Sequence, residues 1–258
     1  MREAVQPTFR SSVTRLAGDD ATAWLRELPA LEAEVAARWN LELGPELPGG
    51  ILASVRAVRQ ADGTDAVLKL AGPGDRTVDE IACLRMWAGG ATPELLDADE
   101  SRGAILLERI VPGAAAIDAD VEHVAALLRQ IQLPDAPPLR PLVDVVRRRL
   151  DRAERDGRAS GARLAWARRA VERLEEDAPA PVIVHGDFDE RNLLTCARRG
   201  LCAIDPLPSV GDGAYDAASW VHANRRPGRR ARFDDIAAAL SLDRGRLRDW
   251  CGVVAVHG

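Results

Sequence analysis

Lysine is almost absent from this chain. Of 35 basic residues one is lysine, Lys69 in AVLKLA, and the rest are arginine. A chain-wide preference for arginine is what a GC-rich genome produces and says nothing of function. It makes the retained ammonium informative, because a compact point charge is not interchangeable with a planar guanidinium fork. Long apolar runs are absent too. No stretch of about 18 apolar residues occurs, so no membrane-spanning helix is expected. The N-terminal MREAVQPTFRSSVTRLAGDD has no apolar core of signal-peptide length. Cysteine is scarce: Cys83, Cys196, Cys202 and Cys251 form no C-x-x-C pair, which removes the common zinc and redox spacings. Cys196 and Cys202 could face each other across a short hairpin, but buried thiols are the plainer reading. The chain reads as cytoplasmic and reduced. There is no positive excess either. The formal net charge is -5, which gives no basic field for nucleic acid. No obligate protein partner is expected.

What is present is an ordinary globular composition, 47% hydrophobic and 29% charged over 258 residues, enough for one large domain or two modest ones. Residues 19–38 have helical spacing, with Asp19 or Asp20 as the expected cap. Two β-like runs, ILASVRAVRQ and DAVLKLA, flank an Asp-Gly turn and predict a hairpin with Lys69 on its second strand. TVDEIACLRMWAG predicts a helix capped by Thr77, with Glu80 in the first turn and Ile81, Leu84 and Trp87 on one side. Two short strands follow, ELLDAD and AILLERI. At VPGAAA the pattern changes to long helical segments at about 118–132, 141–156 and 161–177. The expected division is therefore residues 1–110 and 111–258. The overall class is α+β, an antiparallel sheet with a helix followed by a mainly helical half. Further on come a short strand at 181–184, a polar loop, a hairpin ending at Ile204-Asp205-Pro206, and helices from about Asp216, at 232–240 and at 243–251.

The polar loop is HGDFDERN, between VIV and LL. Asp and Asn are turn formers in their own right, but the set taken together fits phosphoryl transfer. That reaction needs a cation on the nucleotide phosphates, oxygen ligands for Mg2+ and a carboxylate near the accepting hydroxyl. Asn192 and Asp205 stand at the two ends of a hairpin that folds back on itself, so they end up close together. One amide oxygen and one carboxylate suffice for Mg2+, which keeps water and phosphate as its other ligands. Asp187 is then the candidate general base. Lys69 is the phosphate contact, and Glu80 its partner. A nucleotide and Mg2+ are the cofactors this chemistry calls for.

These residues resemble the aminoglycoside phosphotransferase family. The details VLKL, LLERI-x-PG, HGD-x-x-x-x-N and AIDP-x-P-x-VGD-x-x-YD-x-A are most similar to its streptomycin 6-kinase and hydroxyurea phosphotransferase branch. The resemblance runs from about Leu47 to Trp220. It implies a two-lobed protein-kinase-like fold, ATP bound between the lobes, and transfer of the γ-phosphoryl group to a hydroxyl of a small molecule, expected to be an antibiotic of the streptomycin type. It makes Asp187 the base, Asn192 and Asp205 the metal ligands, Lys69 the phosphate cation and Glu80 its partner. Glu108 to Ile110 become the hinge that meets adenine, and LPGGILASV the turn over the phosphates. It also implies that Asp212 bonds the catalytic loop, while Asp216 is expected as an N-cap.

The chain departs from that pattern in places. LPGGILASV has only Gly49 and Gly50. Phe188 and Asp189 stand where many relatives have Leu and His, and Asp189 is expected either to raise a neighbouring pKa or to face solvent. The chain ends at GVVAVHG, short of the further helix usual in such proteins. Three alternatives follow: a hydroxyurea phosphotransferase, a tuberactinomycin-peptide phosphotransferase, or a catalytically impaired nucleotide-binding remnant. A protein kinase fits less well, since no activation segment of the usual length separates Asp205 from the next helix. Asp118, Asp120 and Glu122 are the expected carboxylates for a cationic acceptor. His185 is expected to shape the loop, and Arg225, Arg226, Arg229, Arg230 and Arg232 to form a solvated loop.

Overall fold

A computed structural model describes residues 7–47, 53–73, 77–223 and 229–257. The chain separates into two compact units, residues 1–89 with 93–109, and residues 90–92 with 110–258. Gly49, Gly50, Arg225 and Arg226 lie outside the described residues.

The first unit holds α1 (Pro7–Arg38), β1 (Glu42–Glu46), β2 (Ala53–Arg59), β3 (Asp65–Ala71), α2 (Thr77–Trp87), β4 (Leu95–Asp99) and β5 (Ala104–Glu108). The strands form one antiparallel sheet in the order β1-β2-β3-β5-β4. The Asp-Gly turn joins β2 and β3 in full register, Ala53 opposite Ala71 through Arg59 opposite Asp65. Helix α1 begins earlier than the sequence predicts, so residues 19 and 20 lie inside it and do not cap it. The apolar periodicity of the first residues is too weak to reveal the extra turns.

Alternation along β3 decides what each face does. Ala66, Leu68 and Leu70 pack on Leu25, Leu28 and Val35 of α1 with Val58 and Leu106. Lys69, one residue out of phase, belongs to the opposite face. A polar contact also joins α1 to the sheet. Buried Glu32 accepts from Ser54 Oγ at 3.0 Å and from Arg56 Nε at 3.3 Å. Arg56 Nη1 continues to the Gly44 carbonyl at 2.8 Å.

The second unit holds β6 (Pro112–Ala115), α3 (Val121–Ile131), α4 (Leu142–Arg155), α5 (Gly161–Glu176), β7 (Val182–Val184), β8 (Leu193–Cys196), β9 (Gly200–Ala203), β10 (Ser209–Gly211), α6 (Ala214–Ala223), α7 (Arg229–Ala239) and α8 (Arg244–His257). The segment VPGAAA is a strand here, β6, paired with β8 in a three-stranded sheet β6-β8-β9. Strands β7 and β10 form a separate antiparallel pair. In the β8–β9 hairpin Leu194 faces Cys202 and Cys196 faces Gly200, so the two cysteines are not opposite one another. All four cysteines are free thiols. Helices α4, α5, α6 and α8 supply the core, with Val146, Leu150, Ala167, Val171, Trp220, Trp250 and Val253 almost wholly enclosed. Among the described residues no helix is long and apolar enough to cross a membrane.

Glu32→Ala should cost about 3 to 5 kcal/mol of unfolding free energy, because it removes a buried carboxylate that both Ser54 and Arg56 bond. Urea denaturation of the two proteins measures this. A loss under about 1 kcal/mol would show that apolar packing alone holds α1 to β2.

Candidate active site

In the first unit, Lys69 sits opposite Val55 on β2 and Ile105 on β5. Its Nζ stands 2.9 Å from Glu80 Oε1 and 2.7 Å from Oε2. Both side chains are over 90% enclosed (8% and 4% exposed), which makes this a buried, two-pronged charge pair. Glu80 lies in the first turn of α2, where the helix dipole also favours a carboxylate. Glu108, at the end of β5, accepts the Glu94 N–H on its carboxylate at 3.2 Å, and its own N–H donates to the Glu94 carbonyl at 2.9 Å.

In the second unit, the loop between β7 and β8 is built around Asp187. Asn192 turns its amide nitrogen inward, donating to the Asp187 carbonyl at 2.8 Å and to Asp187 Oδ2 at 2.9 Å. Those bonds use the amide nitrogen, and the Asn192 amide oxygen is an acceptor only. The hairpin folds back as β8 and β9 require, and the Asn192 carbonyl accepts from Ile204 N at 2.8 Å. Asp205 is the next residue. It is exposed and adopts a left-handed backbone, φ 56°, a conformation Asp enters more readily than most L-residues. Ile110 packs with Leu194, Cys196 and Cys202 on this hairpin.

The start of the loop is held from α6. Wholly buried Asp216 accepts the His185 N–H at 2.7 Å on one oxygen and the Gly186 N–H at 3.0 Å on the other. Gly186 has φ 80°, and a Cβ there would sit 2.1 Å from the Leu207 carbonyl oxygen, so no other residue fits. The His185 ring is buried edge-on against Phe188, centroids 5.6 Å apart. The sequence expectation for the two aspartates is reversed. Asp216 is inside α6 and anchors the loop. Asp212 caps the helix, accepting the Ala214 N–H at 2.9 Å, and also receives Arg246 and Trp250 of α8, each at 2.5 Å. Both carboxylates lie within two residues of the helix start, and only the packing of β7 decides which one turns toward the loop.

Asp189 is buried, not solvent-facing. It caps the turn Glu190–Asn192 through Arg191 N at 2.7 Å and pairs with the Arg191 guanidinium at 3.0 and 3.2 Å. Its charge feeds into Asp187. Burial pushes the Asp187 carboxyl above the usual range, the Asp189 and Asp205 charges add to that rise, and the Arg149 guanidinium and the Asn192 amide oppose it. Arg149 is a member of this site that the sequence reading missed. It lies on α4, hydrogen-bonds the buried Tyr215 hydroxyl, and stands in the field of Asp187 and Asp216. The signal was there. Leu142, Val146, Arg149 and Ala153 share one helical stripe, and an arginine on the apolar stripe of α4 needs a buried partner. Arg232, expected in a solvated loop, belongs instead to α7 and donates to Glu190 Oε1 at 2.8 Å.

Asp118 and Asp120, expected near an acceptor, line a cavity of about 430 Å3 with Ile117, His123, Thr195 and Leu201. Its lining includes none of Asp187, Asn192 and Asp205. Asp120 also caps α3, accepting from Glu122 N at 2.9 Å, and Glu122 is exposed. Among the described residues no three His, Cys, Asp or Glu cluster to hold a metal by themselves. The donors present, one amide oxygen and one exposed carboxylate, are hard oxygen ligands. They suit Mg2+, which binds few protein groups, and a cation there would offset the crowding of Asp187, Asp189 and Asp205.

Comparison with known proteins agrees with this architecture. A choline/ethanolamine kinase family protein from Mesorhizobium loti superposes with a TM-score of 0.66 at 15% identity, over 88% of this chain and 83% of that one. The fold is therefore protein-kinase-like. Streptomycin 6-kinase of Streptomyces griseus is 33% identical over 261 residues, covering 93% of this chain and 84% of that protein. Hydroxyurea phosphotransferase of Kitasatospora aureofaciens is 33% identical over 249 residues, covering 92% and 73%. Residues 38–257 match the family described as aminoglycoside/hydroxyurea antibiotic resistance kinase, and the chain belongs to that family.

The buried Asp216 carboxyl is pushed up to about 7, chiefly by burial, with its two N–H bonds and Arg149 opposing the rise. The folded protein then holds a proton that the unfolded chain releases near pH 4. Stability contributed by this group is present at low pH and is lost as pH rises from about 4 through about 7. Asp216→Asn lacks that titration. The stability of wild type minus that of Asp216→Asn should therefore be larger at pH 5 than at pH 8, by urea denaturation. A difference independent of pH would show that Asp216 titrates normally.

Proposed function

We propose that this protein transfers the γ-phosphoryl group of ATP to a hydroxyl of a small cationic antibiotic of the streptomycin type. Family membership supports the class of reaction, and the two 33% identical relatives named for streptomycin and hydroxyurea support the kind of acceptor. The observation that carries the reading is the Asp187 carboxylate, half-buried, raised in basicity by its surroundings and held in direction by the Asn192 amide.

In this reading Asp187 accepts the hydroxyl proton as the acceptor oxygen bonds to the γ-phosphorus and the bond from that phosphorus to the bridging oxygen breaks, releasing ADP. A carboxylate with raised affinity for protons is the better base at neutral pH. Lys69 meets the phosphates as a point charge, and Glu80 holds its ammonium in one direction. Asn192, through its amide oxygen, and Asp205, through its carboxylate, would hold Mg2+. When bound, the ion neutralises phosphate charge that builds up during transfer. The division at residues 1–110 and 111–258 makes the first part the phosphate-contacting half and the second the catalytic half, with Glu108 and Ile110 meeting the adenine.

Release of ADP with streptomycin, other aminoglycosides, hydroxyurea and tuberactinomycin peptides tests this directly. Turnover is expected with streptomycin-type acceptors. Asp187→Asn should lower kcat by about 100-fold or more while leaving the Mg-ATP thermal shift in place. Near-full activity of that variant would remove Asp187 as the base. A thermal shift with Mg-ATP and no transfer to any acceptor would favour a nucleotide-binding protein without kinase activity.

A further inference from the structure

The catalytic loop has a second attachment that the phosphotransfer reading does not use. Arg232, in the first turn of α7, is only 20% exposed. A cation at that end of a helix opposes the dipole, so the helix itself gives no reason for it. Three neighbours do. Its Nη1 donates to Glu190 Oε1 at 2.8 Å, its Nη2 lies 3.8 Å from Asp118, and its guanidinium rests 5.0 Å over the ring of fully buried Trp220. Glu190 is itself only 14% exposed. It opens the short turn Glu190–Asn192, whose last residue is the one that orients Asp187.

The two attachments share a support. Asp216 and Trp220 are four residues apart on α6, and so on one side of that helix. Asp216 grips the loop where it leaves β7, at the His185 and Gly186 N–H groups. Trp220, one turn on, is the platform on which Arg232 stands to grip the loop where it enters β8. The geometry points to Arg232 as a positioning residue for phosphoryl transfer: through Glu190 it fixes the far end of the catalytic loop, and with it the Asn192 amide and the direction of the Asp187 carboxylate. This role rests on the phosphotransfer reading, because it acts through Asp187 and Asn192. Arginine suits it where lysine does not. A flat guanidinium lies on an indole face and still directs an N–H into a carboxylate in its own plane.

Kinetics and hydrogen exchange on the full chain test the assignment. Arg232→Met should lower kcat about tenfold, since small displacements of reacting groups are costly, with the KM for ATP within about twofold and the melting temperature near that of wild type. Arg232→Lys should fall between the two. Glu190→Gln combined with Arg232→Met should be no worse than Arg232→Met alone, because both changes break one link. A kcat within twofold of wild type for Arg232→Met, or losses that multiply in the double variant, would overturn the assignment. Exchange at the amides of residues 185–196 is read in parallel and needs no acceptor. It should quicken in Arg232→Met, and an unchanged rate there would also overturn the role. If wild type phosphorylates none of the acceptors tested, the phosphotransfer reading fails, and the exchange measurement still decides whether Arg232 holds the loop.

Discussion

Two backbone N–H groups and one buried carboxylate tie the loop between β7 and β8 to α6. The loop between β7 and β8, which carries Asp187 and Asn192, has main-chain N–H groups outside any strand ladder, and these need partners from elsewhere. Asp216 supplies one oxygen each to His185 and Gly186. Burying a carboxylate costs free energy unless it is fully hydrogen-bonded, and this one is raised in pKa even with both bonds and Arg149 nearby. The site is therefore anchored by a group that is itself under electrostatic stress. Substituting it affects both the shape of the loop and its charge balance.

The surrounding helices answer that stress in kind. Arg149 on α4 stands near Asp187 and Asp216 and binds Tyr215, the neighbour of Asp216. His257 on α8 stacks on the same tyrosine at 21° and is driven down to about 3 by burial, so it adds no further charge. Asp212 ties the start of α6 to Arg246 and Trp250 of α8. The C-terminal helix thus takes part in holding α6, and α6 holds the loop. In the first unit the logic is simpler. One face of β3 packs on α1, and the out-of-phase Lys69 meets Glu80 away from that core.

Strong local patterns were legible without coordinates. The Asp-Gly hairpin, the helix carrying Glu80, the three amphipathic helices and the hairpin after the loop all follow from periodicity and turn chemistry, because those depend on near neighbours in the chain. The Lys69–Glu80 contact could be read as well, since a strand and the next helix lie close in space. Other features were not legible. The early start of α1 has no strong periodic signal. Whether Asp212 or Asp216 turns toward the loop depends on packing across about thirty residues of chain, so local spacing carries no information on it.

Residue types and their spacing, then, determined the kind of chemistry available: one ammonium, a set of hard oxygen donors around a polar loop, and a sheet-then-helices order. Beyond the Lys69–Glu80 pair, tertiary structure decided which charges face one another. Arg232 is one arginine among many in the chain, and nothing in its immediate neighbours marks it out, whereas Arg149 is set apart only by falling on the apolar stripe of α4. They became part of the site because α4 and α7 fold against it, where a buried carboxylate needs a counter-charge that no sequence-adjacent residue can reach.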